Sequence, residues 1–113
     1  MPKRIYVAGP YSKPDPVINT RNAVLVAKRL VAAGLLPFVP HLSHVWHLVS
    51  PQPYRYWLEY DLHWLRVCDG VLRLPGDSPG ADEECAEARR LGLPVYDDLE
   101  TLLKLEACNA KTS

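Results

Sequence analysis

Glu84 is the residue whose type and position most directly suggest chemistry. Ser78 and Pro79 precede it, and a serine N-cap followed by proline at the first helical position predicts that a helix begins there. With about 100° of rotation per residue, Glu84 falls on the apolar face of this helix, which comprises Ala81, Cys85, Ala88 and Leu91. Because a carboxylate is costly to desolvate, this pattern indicates either a functional acid or a structural hydrogen bond to the preceding loop.

Asp61 is a second carboxylate on an apolar helix face. Residues 54–68 have a helical period in which Leu58, Leu62 and Leu65 define the buried side, and Asp61 lies within it. A hydrogen bond to a neighbouring helix end is the structural alternative, because unpaired buried charge is rare. As functional groups, two carboxylates in different environments can supply one ionised and one protonated group to a reaction.

The elements that must position these acids alternate between strand and helix. Strands are predicted at residues 5–8, 35–39, 70–74 and 94–96, and helices at residues 17–33, 54–68, 79–91 and 98–107, whereas residues 41–53 have no clear period. This order predicts an α/β fold, a doubly wound parallel sheet of four to five strands of the flavodoxin or Rossmann type, with helices on both faces.

Two loops should line the ligand site of such a sheet. Ligands bind beyond the carboxyl ends of the strands, where the strand order reverses. The loop after the first strand contains Gly9, Pro10, Tyr11 and Ser12, and the loop after the third strand covers residues 75–80. We therefore expect both loops to border the substrate crevice, within reach of the two inward acids.

The composition restricts the class of protein. The 113 residues include 13 basic and 13 acidic side chains, with zero net charge, which argues against a nucleic acid polymer or an anionic membrane surface as a partner. No apolar run reaches the ~18 residues of a membrane span. Cys68, Cys85 and Cys108 are odd in number and lack metal-type spacing, which favours reduced thiols. We expect a single cytoplasmic domain over residues 1–113.

Three histidines, His41, His44 and His47, recur at three-residue spacing. A zinc site would need a fourth ligand and a defined supporting element, and the sequence shows neither. We interpret these histidines as a pocket wall or a subunit contact, and we expect no metal and no cofactor.

Three segments resemble the nucleoside 2-deoxyribosyltransferase superfamily. Residues 5–10 (IYVAGP) are similar to its opening strand and loop, residues 61–69 (DLHWLRVCD) to its acid-bearing helix, and residues 78–84 (SPGADEE) to its signature loop. In that loop a glycine stands four residues before the nucleophilic glutamate. The segments follow the superfamily's order over nearly the whole chain, and they resemble most an uncharacterised bacterial and phage branch of it.

The resemblance implies a role for each matching residue. Glu84 would attack or stabilise the anomeric carbon of a (deoxy)ribosyl group, Tyr6 would orient Glu84 by a hydrogen bond, and Asp61 would contact or protonate the departing base. Ser78 and Gly80 would hold the 5′ end of the sugar. Cleavage of an N-glycosidic bond builds positive charge on the sugar and negative charge on the base, so one ionised and one protonated group suit it.

The resemblance leaves the substrate open between a nucleoside and a nucleoside 5′-monophosphate. Ser78 stands where transferases of free nucleosides tend to carry aspartate. The deoxynucleoside 5′-monophosphate N-glycosidase branch has serine there, and a hydroxyl at a helix N-terminus suits a phosphate. That branch also has an arginine in its first loop, where this chain has residues 10–12 (PYS), with Lys13 or Arg21 as the nearby cations. Hydrolysis and transfer to a second base are both compatible with the motifs.

The remaining expectations concern partners. Aromatic side chains surround the helix at residues 54–68 on more sides than one core covers, namely Tyr54, Tyr56, Trp57, Tyr60 and Trp64. Such an excess is typical of an interface, and the resemblance implies a homodimer or larger homo-oligomer with sites near the interface. The alternative to an enzyme is a non-catalytic nucleotide-binding module, which the absent first-loop arginine would allow.

Overall fold

Four parallel strands form the centre of the structure, a computed structural model that describes residues 2–107. The strands are β1 at Arg4–Ala8, β2 at Leu36–Phe38, β3 at Gly70–Arg73 and β4 at Val95–Tyr96. Their spatial order is β2-β1-β3-β4, and each neighbouring pair is parallel. The chain leaves β1 on one side to form β2 and on the other to form β3, so the strand order reverses between β1 and β3.

The helices are α1 at Pro16–Ala32, α2 at His44–Val49, α3 at Tyr54–Leu65, α4 at Pro79–Arg90 and α5 at Leu99–Leu102. A 3₁₀ turn at Pro40–Ser43 precedes α2, and a π-helical turn at Leu103–Ala107 follows α5. Three of the helices begin at side-chain caps, because the oxygens of Asp15, Ser78 and Asp98 accept hydrogen bonds from backbone N–H groups of the first turn. The cap at Ser78 agrees with the prediction from the sequence.

Alternation along the strands produces two apolar cores. One face of the sheet, with Tyr6 and Ala8, packs against α3 and α4, and the opposite face, with Ile5 and Val7, packs against α1 and α5. The predicted doubly wound α/β sheet with helices on both faces is therefore confirmed, with four strands.

Several predicted boundaries differ from the structure. Residues 41–53 were expected to lack regular structure but contain most of the 3₁₀ turn and all of α2. Helix α3 ends at Leu65 rather than at residue 68, because the chain then turns, with the Cys68 amide bonded to the Leu65 carbonyl at 3.0 Å. Leu91 was assigned to the apolar face of α4 but is 40% exposed, because it lies just beyond the helix end.

Two further observations concern the class of protein. None of the helices within residues 2–107 combines the length and apolarity needed to cross a bilayer. Cys68 and Cys85 are buried free thiols, and Cys108 lies outside the described residues.

Glu106 connects the last described turn to the start of the sheet. It is 5% exposed, accepts a hydrogen bond from the Tyr96 hydroxyl, and pairs with Lys3 Nζ at 2.8 Å. Burial acts to raise the pKa of Glu106, but the Lys3 and Tyr96 contacts outweigh it, so this pKa is lowered overall. The contact therefore stabilises the folded state above the pKa of the unfolded chain and is lost as the pH falls through the folded-state pKa.

We expect Glu106→Gln to lower the free energy of unfolding by about 1 to 2 kcal/mol at pH 7, because the Lys3 ammonium loses its carboxylate partner. The difference from the wild type should shrink as the pH falls through the lowered folded-state pKa of Glu106, where the wild-type carboxylate protonates. Urea unfolding at pH 7 and at a series of lower pH values measures it.

Glu100→Gln is the matched control for this measurement. Glu100 pairs with Arg29 at 2.7 Å, but both side chains are more than half exposed, so its loss should change stability by less than about 0.5 kcal/mol. Equal effects of the two substitutions would show that the Glu106 contact does not stabilise the fold.

Candidate active site

Glu84 lies in the second turn of α4 and is buried against the sheet, with 6% of its surface exposed. Its Oε2 accepts a hydrogen bond from the hydroxyl of Tyr6, which projects from β1 and is completely buried. The inward orientation predicted from the helical period is therefore observed, and so is the Tyr6 hydrogen bond that the resemblance implied. One strand and one helix together fix this carboxyl group.

The surroundings of Glu84 bring the pKa of its carboxyl group close to neutral pH. Burial raises the pKa of Glu84 to about 7, against the hydrogen bond from Tyr6 and the positive charge of Arg73, which both lower it. The neighbouring charge of Glu83 raises this pKa further. The carboxyl group is therefore ionised above about pH 7 despite its burial.

Asp61, in α3, is the second acid of the site. It is partly buried, and its Oδ1 is shielded from solvent without a hydrogen-bond partner in the described part of the chain. Burial, followed by the negative charge of Glu84, raises the pKa of Asp61 to about 8. Both acids therefore keep their protons to a higher pH than exposed carboxyl groups do.

The two loops predicted to border the site are in contact with each other. A Cβ atom on Gly9 would lie 2.9 Å from Leu74 Cβ, and a Cβ atom on Gly76 would lie 2.6 Å from Pro10 Cγ. Gly76 also has a φ of +121°, which a larger residue rarely adopts. Glycine at these positions therefore lets the loops after β1 and β3 approach each other at the sheet's reversal point.

His41 holds the first loop in place. Its Nε2 lies 2.9 Å from the Pro10 carbonyl oxygen, and because a carbonyl only accepts, Nε2 carries the proton. Burial lowers the pKa of His41, so the neutral ring is favoured. The Tyr11 ring lies beside His41 and His44, with centroids 6.2 and 5.3 Å away, and Ser12 is exposed.

The side chains of His41, His44 and His47 do not come together at one site. The third member, His47, accepts hydrogen bonds from the Trp57 indole at 2.7 Å and the Gln52 amide at 3.3 Å. No group of three or more His, Cys, Asp or Glu residues able to hold a metal ion occurs between residues 2 and 107.

Ser78 and Gly80 lie at the start of α4, directly after the loop that follows β3. Ser78 Oγ accepts a hydrogen bond from the Ala81 amide at 3.1 Å. A Cβ atom on Gly80 would lie 2.7 Å from the Tyr54 hydroxyl oxygen, so this phenol covers the first turn of α4. Tyr54 was expected only as part of an aromatic interface, and its sequence context contained no signal for this contact.

Arg73 is a site residue that the sequence reasoning missed. Its side chain is 15% exposed and donates hydrogen bonds to the carbonyls of Leu74 and Gly76 and to the carboxylate of Asp82. An arginine within the otherwise apolar segment 71–74 was the available signal, because a strand this buried does not accommodate a cation without partners.

Two open clefts lie elsewhere on the surface. One, of about 630 Å³, follows residues 98–104, and another, of about 400 Å³, lies between α1 and the segment containing Val39 and Leu42. Neither is lined by Glu84, Asp61 or Tyr6.

Two solved structures share this architecture. The 2-deoxyribosyltransferase from Leishmania mexicana superposes with a TM-score of 0.63 and 21% identity, over 83% of this chain and 62% of that one. The 2-deoxyribosyltransferase from the psychrotolerant bacterium Bacillus psychrosaccharolyticus gives a TM-score of 0.59 and 22% identity, over 81% and 69% of the two chains. This chain thus spans less than two thirds of the length of the Leishmania protein, and at these identities the likeness shows a common fold.

Sequence comparison assigns the family. No curated protein matches the chain. A family model described as a domain of unknown function, DUF7768, matches residues 3–98. The chain therefore belongs to the DUF7768 family, and its fold is the α/β fold of the 2-deoxyribosyltransferases.

Proposed function

We propose that this protein cleaves or transfers the N-glycosidic bond of a nucleoside or a nucleoside 5′-monophosphate, with Glu84 as the nucleophile. The observation that carries the proposal is the pairing of a buried, Tyr6-bonded Glu84 with a second carboxyl group, Asp61, whose pKa is higher. The fold shared with 2-deoxyribosyltransferases supports it, as do the motifs at residues 5–10, 61–69 and 78–84.

The proposed reaction divides the two charges of the transition state between the two acids. The ionised Glu84 attacks the anomeric carbon or stabilises its developing positive charge, and the bonding pair of the C–N bond leaves with the base. Asp61 donates its proton to that base. Water or a second base then attacks the anomeric carbon and gives its proton to the Asp61 carboxylate, while the bond between the sugar and Glu84 breaks and its electron pair returns to Glu84. Attack by water completes hydrolysis, and attack by a second base completes transfer.

Tyr6 and the two loops complete the proposed site. Tyr6 holds Oε2 of Glu84, which leaves Oε1 to face the sugar. The 5′ end of the sugar is assigned to Ser78 and Gly80, and the loop of Gly9, Pro10, Tyr11 and Ser12 is assigned to the wall of the crevice. The position of both loops at the sheet's reversal point supports these assignments.

We also propose that the protein acts as a homodimer or larger homo-oligomer. Large apolar side chains are exposed on α2 and at the start of α3, including Val45, Leu48, Val49 and Tyr54, and a second copy of the chain would cover them. A solution mass of at least twice 12.7 kDa is the check. We further propose that residues 1–113 form one domain and that the protein is cytoplasmic and acts without a cofactor. Within the nucleoside 2-deoxyribosyltransferase superfamily, we assign it to the uncharacterised bacterial and phage branch.

We expect Glu84→Gln to reduce the release of free base by a factor on the order of 10³, because the amide cannot act as the nucleophile. The protein is incubated with a panel of nucleosides and their 5′-monophosphates, with and without a second base, and the products are separated by chromatography. A new nucleoside in the presence of the second base indicates transfer, and free base alone indicates hydrolysis.

Glu83→Gln is the matched control, because Glu83 is the adjacent acid, is 45% exposed and pairs with Arg55. It should retain base release within a few-fold. Equal release by wild type and Glu84→Gln would exclude Glu84 as the nucleophile. Binding of a nucleotide without any release would favour the non-catalytic module instead.

The rate of base release should depend on pH as a narrow bell. Activity requires ionised Glu84 and protonated Asp61, so it should fall below about pH 7 and again above about pH 8. Asp61→Asn should lower the rate by about 10² or more and abolish the alkaline limb while leaving the acid limb. An unchanged alkaline limb in this variant would contradict the assignment of Asp61 as the acid.

A further inference from the structure

Arg73 is a buried cation at the point where the strand order reverses. It is the last residue of β3, in register with Ala8 of β1, and its side chain is 15% exposed. Burying a guanidinium is unfavourable unless its N–H groups are bonded and its charge is compensated. The groups that bond to the Arg73 guanidinium therefore indicate the role of this residue.

The hydrogen-bond partners of Arg73 lie in the loop that leads into α4 and in α4 itself. Arg73 Nη1 donates to the Leu74 carbonyl, and Nη2 donates to the Gly76 carbonyl and to Asp82 Oδ1, both at 3.0 Å. Asp82 lies in the first turn of α4, two residues before Glu84. One guanidinium thus fastens the β3–α4 loop to the helix that carries Glu84.

Arg73 also affects the ionisation of Glu84, because its positive charge lowers the pKa of that carboxyl group. The titratable groups whose charges interact with Glu84 come from β1, α3, β3 and α4, and they are Tyr6, Tyr54, Asp61, Arg73, Glu83 and Cys85. Arg73 is the cation of this set and favours the ionised carboxylate, whereas Glu83 opposes it. The planar fork of arginine permits both the loop contacts and this charge.

We propose that Arg73 is a positioning residue of the site: its guanidinium fixes the β3–α4 loop against α4 and places a positive charge beside the first turn of this helix, two residues before Glu84. The consequence for turnover rests on the proposed function. The electrostatic consequence does not, because the ionisation of Glu84 can be measured without substrate.

The test is a carboxyl NMR titration of the full chain labelled with ¹³C-glutamate, with the Glu84 signal assigned by its absence in Glu84→Gln. Arg73→Gln removes the charge but retains a donor for a loop carbonyl, and it should raise the midpoint of Glu84 by about 0.5 pH units or more. Arg73→Lys retains the charge and should leave the midpoint within about 0.3 units of the wild type.

Arg55→Gln is the control, because Arg55 also reaches α4, through Glu83 at 3.0 Å, but from an exposed position. It should leave the Glu84 midpoint unchanged. A midpoint that does not move in Arg73→Gln, or that rises equally in Arg73→Lys, would overturn the proposal. If Arg73→Gln does not fold, Arg73→Met, which removes the charge but retains the length of the side chain, replaces it in the titration, with the same expected rise and the same contradicting result.

Kinetics separate the two parts of the inference. Arg73→Gln should shift the acid limb of base release upward with the Glu84 midpoint, whereas Arg73→Lys should lower the maximal rate about 5- to 10-fold with the limb in place, because the loop is held less firmly. A wild-type protein that releases no base would refute the proposed function, and the substrate-free titration would still decide the role of Arg73.

Discussion

The contact between the Tyr6 hydroxyl and the Glu84 carboxylate is the interaction on which the rest of the site depends. It joins the central strand β1 to α4 in a buried environment, where a carboxylate without a donor would be neutral or would destabilise the fold. Tyr6 and Arg73 together offset part of the effect of burial, so Glu84 ionises near pH 7. Burial and the neighbouring charge of Glu84 raise the pKa of Asp61 to about 8.

The sheet topology places the helix that carries Glu84 next to the strand that carries Tyr6. β1 and β3 are adjacent and parallel, and the chain leaves their carboxyl ends in different directions, which is the position where ligands bind in open α/β sheets. Gly9 and Gly76 allow the two departing loops to touch, and Arg73 fixes the second loop to α4.

Much of this arrangement was predictable from the sequence, for identifiable reasons. The order of strands and helices follows from local periodicity and caps, and the inward orientation of Glu84 follows from its helix face. Helix α2 was missed because it is only six residues long and is held by tertiary contacts, such as that between His47 and the Trp57 indole, rather than by a periodic pattern. The role of Arg73 was missed because most of its partners are backbone carbonyls, which every sequence contains.

The central claim is that the fold holds Glu84 as a buried carboxylate that is unfavourable to ionise, and the stability of Glu84→Gln as a function of pH tests it most directly. The pKa of Glu84 is raised from 4.5 to about 7, so ionisation should destabilise the wild type progressively between these pH values. The glutamine can still accept the Tyr6 hydrogen bond. Urea unfolding should therefore show the variant equal to the wild type at pH 4 and more stable by about 1 to 3 kcal/mol at pH 8. A variant that is no more stable than the wild type at pH 8 would contradict the claim.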